Sequence, residues 1–103
     1  MENKQEYIER LQMVVWHLHK AHGVHMQTVP IHEVFNGQTV WQGDVEVFAF
    51  TGHPKAALCY AWSYKDDAGG EHFAAILGLP PVQTPQDAVK VFIASQVKKR
   101  KGK

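Results

Sequence analysis

The sequence predicts an α+β domain in which a helix, a four-strand antiparallel meander and a second helix form a two-layer sandwich (α-β-β-β-β-α). Three observations lead there. Apolar residues recur at three- and four-residue spacing near both ends of the chain, the period of a helix with one buried stripe. Between Thr28 and Leu79 the pattern changes to alternation, the period of a strand. Turn chemistry divides that middle stretch three times: Asn36-Gly37, Gly52-His53-Pro54-Lys55 and Asp66 to Gly70.

The first helix is expected from about Lys4 to His22, capped near Asn3. Tyr7, Ile8, Leu11, Val14, Val15 and Leu18 make its stripe, and Gly23 stands as its stop. Thr28 to Phe35 reads as a strand in which Pro30, lacking an N–H, argues for an edge. Asn36-Gly37 tolerates the positive φ of a type I′ turn and predicts a hairpin into a long strand, Gln38 to Thr51. Gly43 within that strand suggests a bulge or bend. Strands over Ala57 to Lys65 and Glu71 to Leu79 follow. Pro80-Pro81 ends the sheet, and Thr84-Pro85-Gln86-Asp87 supplies a hydroxyl cap, a first-turn proline and an acid for the second helix. Ala88, Val89, Phe92, Ile93 and Val97 form its stripe.

One hundred and three residues accommodate one domain, read here as residues 1–97 followed by a basic disordered tail, 98–103. Hydrophobic residues at 45% and charged residues at 20% are globular proportions. Cys59 is the only cysteine, so no internal disulfide forms and a reducing compartment fits. Glu2, Lys4, Glu6, Glu9 and Arg10 interrupt any N-terminal apolar run, and no stretch approaches the ~20 apolar residues of a membrane span. The expected location is cytoplasmic. The formal charge of +1 conceals an asymmetry, because residues 1–97 hold six basic against ten acidic groups, a formal −4. That distribution argues against a broad basic nucleic-acid surface on the folded part.

Alternation assigns the two faces of the sheet, given a symmetric turn at Gly52 to Lys55 and closure of Lys65 against Glu71. Phe48, Phe50, Ala57, Cys59, Ala61, Phe73, Ala75, Leu77 and Leu79 share one face. Val45, Val47, Ala49, Leu58, Tyr60, Trp62, Tyr64, Ala74 and Ile76 share the other. Small residues in the middle of the first face leave room for both helices, so the second is expected to stand uncovered. Such a face is a gross gain of about 10 kcal/mol in waiting, at ~25 cal/mol per Å² of apolar surface buried. Val47, Leu58, Tyr60, Trp62, Tyr64 and Ile76 are therefore the expected interaction face.

Other candidate sites are weaker. His17, His19, His22 and His25 cluster near the end of the first helix, but no metal-binding spacing, H-E-x-x-H or cysteine pair accompanies them, and no metal or cofactor is assigned. His53, with Glu33 or Glu46, is a candidate general base; a turn histidine tied to backbone is the alternative. Cys59 reads as a core thiol. With neither a phosphate loop nor a nucleophile elbow, no catalytic residue is assigned. Lys98, Lys99, Arg100 and Lys101 are candidate phosphate contacts, with Tyr60, Trp62 and Tyr64 as stacking rings.

The element order is similar to that of double-stranded-RNA-binding domains, which place two helices on one face of an antiparallel sheet. Those domains open their second helix with lysines; here the corresponding stretch is Thr84-Pro85-Gln86-Asp87-Ala88-Val89-Lys90. The resemblance therefore implies a fold and not RNA binding. The functional expectation is a small non-catalytic interaction module, homodimeric through its aromatic sheet face or bound there to a protein partner. A nucleic-acid binder using tail and rings, and a small histidine-based enzyme or metal protein, are the alternatives.

Overall fold

Hydrogen-bond register shows how the chain is assembled. A computed structural model describes residues 2–101, with side chains through Val97. Its elements are α1 (Lys4–His19), β1 (His22–Phe35), β2 (Gln38–Thr51), β3 (Leu58–Lys65), β4 (Glu71–Leu77) and α2 (Pro85–Lys101). The strands form one open antiparallel meander, β1-β2-β3-β4, and the class is α+β as the sequence predicts.

Asn3 caps α1 reciprocally: its Oδ1 accepts the Glu6 N–H at 2.9 Å, and Glu6 Oε1 accepts the Asn3 N–H at 3.0 Å. The helix ends at Lys20, which takes the left-handed conformation (φ 55°) and donates its N–H to Trp16 O at 2.7 Å. Gly23 is therefore not the stop. It lies inside β1, where a Cβ would stand 3.1 Å from Phe48 Cβ, so close packing explains the glycine there. Asn36 and Gly37 turn β1 into β2 with φ of 53° and 76°, the predicted type I′ geometry. Pro30 is on β1, an edge strand, as its missing N–H requires. The register of β1 against β2 slips at Met26 and at Val40. Gly43 is not a bulge. It pairs with Ile31, and the Trp41 indole lies over it, 3.2 Å from where a Cβ would be. Thr84 caps α2 as predicted, its Oγ1 accepting the Asp87 N–H at 3.1 Å. The helical backbone continues to Lys101, four residues into the segment expected as tail; residues 102–103 of that segment lie outside the described residues.

The face assignments hold within the strands, while Leu79, expected on the first face, lies beyond the end of β4. Phe48 pairs with Cys59, Val47 with Tyr60, Ala61 with Ala75, and Lys65 with Glu71. Ile8, Leu11 and Val15 of α1 bury against Phe48, Cys59, Ala61 and Ala75. The allocation of helices differs from the expectation. Ala88 and Val89 of α2 pack on the opposite face, against Ile31, Val45, Val47, Tyr60, Trp62 and Ala74. The molecule thus has three layers, helix–sheet–helix, and its likeness to double-stranded-RNA-binding domains ends at element order. The crossing is made just after β4. Gly78 donates its N–H to Leu58 O at 2.8 Å, a Cβ there would meet that oxygen at 3.1 Å, and Val82 is then buried among the aromatic-face residues.

The expected interaction face is consequently core. Val47, Tyr60 and Trp62 are only 3%, 2% and 1% exposed, while Leu58, Tyr64 and Ile76 pack partly buried around them. Phe92 meets Trp62 and Tyr64 edge-on, at 5.4 and 4.8 Å between ring centroids. Val89→Ala removes a fully buried contact of α2 with this face. It is expected to lower the unfolding free energy by about 2 kcal/mol in urea titrations, whereas a helix lying on solvent would lose almost nothing.

Candidate functional site: a furrow where the sheet divides

The ladders are unequal. β1 and β2 share thirteen residue pairs and β3 and β4 share seven, but β2 and β3 share only four, from Ala49↔Leu58 to Glu46↔Ala61. Beyond Glu46 the two strands diverge, although both continue, β2 back toward Gln38 and β3 on to Lys65. Where the pairing ends, a cleft lies on either side of the sheet, and this opening is termed the furrow. The cleft beside the start of α1 has a volume of about 620 Å³ and is lined by Lys4, Tyr7, Asp44, Glu46 and Ser63, among others. The cleft beside α2 is about 600 Å³ and is walled by Val40, Phe92, Ile93 and Val97, with Lys65, Asp66 and Asp67 at its rim. Trp41 and Tyr64 line both, so the two clefts flank one opening.

Side chains hold the division in place. The Ser63 N–H donates to the Tyr7 hydroxyl at 3.0 Å, so a helix side chain supplies β3 with an acceptor that a neighbouring strand would ordinarily provide. At the vertex, Glu46 is fully buried. Its Oε2 accepts from Lys4 Nζ at 2.8 Å, and its Oε1 contacts the Thr28 hydroxyl at 2.5 Å and His25 Nε2 at 2.8 Å. One carboxylate thereby ties α1, β1 and β2 together. Burial is the largest influence on its pKa and pushes it up. The bonds from Lys4, Thr28 and His25 together outweigh burial and hold the group below the ordinary glutamate value. Nearby, Arg10 bridges Glu2 and Glu71 and lies over the Phe73 ring at 5.3 Å, joining α1 to β4.

The structure distributes the other candidate residues away from one another. His53 Nδ1 accepts the backbone N–H groups of Lys55 and Ala56 at 3.1 and 2.9 Å, and its ring stacks on Phe50. It is a turn histidine, joined to neither Glu46 nor Glu33. Glu33 instead accepts from Gln86 of α2 at 2.8 Å, on the face opposite to Glu46. The histidine cluster disperses: His19 Nε2 meets Ala75 O at 2.8 Å, His25 meets Glu46, and His17 and His22 face solvent. Among the described residues no three His, Cys, Asp or Glu side chains are grouped to hold a metal ion. Cys59 is buried, and burial pushes its thiol up to about 12, which makes it inert at neutral pH. The candidate contacts Lys98, Lys99, Arg100 and Lys101 have side chains outside the described set. No helix among the described residues is long and apolar enough to cross a membrane. Comparison of the chain with protein-family models, with curated proteins and with solved structures finds no match.

Glu46→Gln is expected to cost about 1–2 kcal/mol at pH 7, because the substitution keeps an acceptor but removes the charge. With its folded pKa depressed, Glu46 stabilises above the ordinary glutamate value, and that contribution is lost as pH falls through the depressed one. Thermal unfolding of both proteins across pH 7 to 2.5 should therefore converge at the acid end. Tyr7→Phe removes the acceptor of Ser63, with an expected loss of about 1 kcal/mol. Hydrogen exchange by NMR should show the Ser63 amide accelerated in that variant and the Val47 and Tyr60 amides little changed.

Proposed function

We propose that the chain is a non-catalytic interaction module that takes an extended segment of a partner polypeptide into the furrow between β2 and β3. The observation that supports this reading is the early end of the β2–β3 ladder at Glu46↔Ala61, with strand backbone continuing on both sides of the opening. Strand backbone lacking a neighbour binds an added strand through main-chain hydrogen bonds, with pockets for alternate side chains providing selectivity. The two clefts, one on each side of the sheet, suit that alternation, because successive side chains of an inserted strand point to opposite faces. Association through the aromatic sheet face is no part of this reading, since α2 covers that face. Nucleic-acid stacking on Tyr60 and Trp62 is set aside on the same ground.

Selection of linear peptides from a random phage-displayed library, followed by hydrogen exchange of the complexes, tests the proposal. Bound peptides are expected to protect the Gln42, Asp44 and Lys65 amides, which point into the furrow, by at least tenfold. Protection confined to the β1–β2 hairpin tip around Phe35, or to the exposed side of α1 around Trp16, would overturn the reading. So would failure to select any peptide.

A further inference from the structure

The two clefts differ in chemistry, and the difference specifies a segment. Beside α1 the lining carries three carboxylates, Glu2, Asp44 and Glu46, against one ammonium, Lys4. Lys4 is already committed to Glu46, and Glu2 to Arg10. Asp44 is exposed and makes no ion pair among the described residues. An uncommitted carboxylate thus stands in this cleft beside the Tyr7 ring, whose face already draws the Arg10 guanidinium to 5.9 Å. Beside α2 the wall is mainly hydrocarbon and aromatic, with Lys65, Asp66 and Asp67 at its rim and Gln96 also lining it, and Val40 and Val97 there are 43% and 47% exposed.

Resting on the furrow reading above, we infer that the segment it takes alternates basic and apolar residues. An extended chain between β2 and β3 sends residue i to the α1 side and residue i+1 to the α2 side. Lysine or arginine on the α1 side reaches Asp44. Valine, leucine or phenylalanine on the α2 side meets Phe92, Ile93 and Val97. An acidic residue on the α1 side meets like charge and is rejected, so the pattern excludes as well as attracts.

Three capped hexapeptides test this, alternating valine with lysine, with serine or with glutamate, each titrated by calorimetry and followed by hydrogen exchange. The lysine peptide is expected to bind at least tenfold more tightly than the serine peptide at 50 mM salt and to protect the Gln42, Asp44 and Lys65 amides. The glutamate peptide should show no binding. Asp44→Asn, at an exposed position without an ion pair among the described residues, should weaken the lysine peptide about three- to tenfold, and 500 mM salt should do the same. Equal affinity of the serine and lysine peptides, with the furrow amides protected, would overturn the charge inference and leave the furrow reading standing. Binding of the lysine peptide without protection of those amides would overturn both. Preference for the glutamate peptide, or no binding by any of the three, would likewise overturn the inference.

Discussion

A four-strand sheet that is apolar on both faces must be covered twice, and this chain has two helices with which to do it. That constraint organises the molecule. α1 lies over Phe48, Cys59 and Ala61, whose small central side chains admit a helix closely. α2 lies over Val47, Tyr60 and Trp62, where large rings fill the space instead. One helix per face leaves none to spare for the far half of the β1–β2 hairpin, where Val34, Phe35 and Val40 remain exposed. The furrow opens where that hairpin parts from β3.

Much of this architecture is legible in the residues. Asn36-Gly37 announces the hairpin, Pro30 the edge strand, and Thr84-Pro85 the start of α2, because each of these signals acts within a few residues of itself. Alternation also assigns the faces correctly once the turns set the register. The allocation of the helices is a different kind of question. An amphipathic stripe states that one side of a helix is buried but not which layer buries it. The answer rests on Gly78 and Val82, which carry the chain across to the aromatic side, and neither has a pattern that announces a crossing. Gly23 misleads for a related reason: a glycine near a helix end signals a stop, yet this one answers to Phe48 on the neighbouring strand.

The site was partly readable. Alternation already places Glu46 on the same face as Phe48 and Phe50, and a carboxylate on an apolar face needs partners. Those partners, Lys4, His25 and Thr28, are distant in sequence and come together only through the fold. The furrow had a fainter signal in the mismatch between a fourteen-residue β2 and an eight-residue β3. Unequal neighbours must leave overhanging backbone. Only the register shows that the overhang lies beside Tyr7 and α2 rather than in open solvent.

The four-rung joint between the hairpins has a mechanical consequence. β1–β2 and β3–β4 are each joined by a longer ladder, so the molecule resembles two leaves meeting at a short spine, clasped on the outside by the helices. Lengthening that spine past Glu46 and Ala61 requires the Ser63 N–H that Tyr7 of α1 now holds, and shortening it disturbs the Glu46 carboxylate that Lys4 holds. The first helix therefore sets how far the two leaves are zipped together, and aperture is coupled to packing through it.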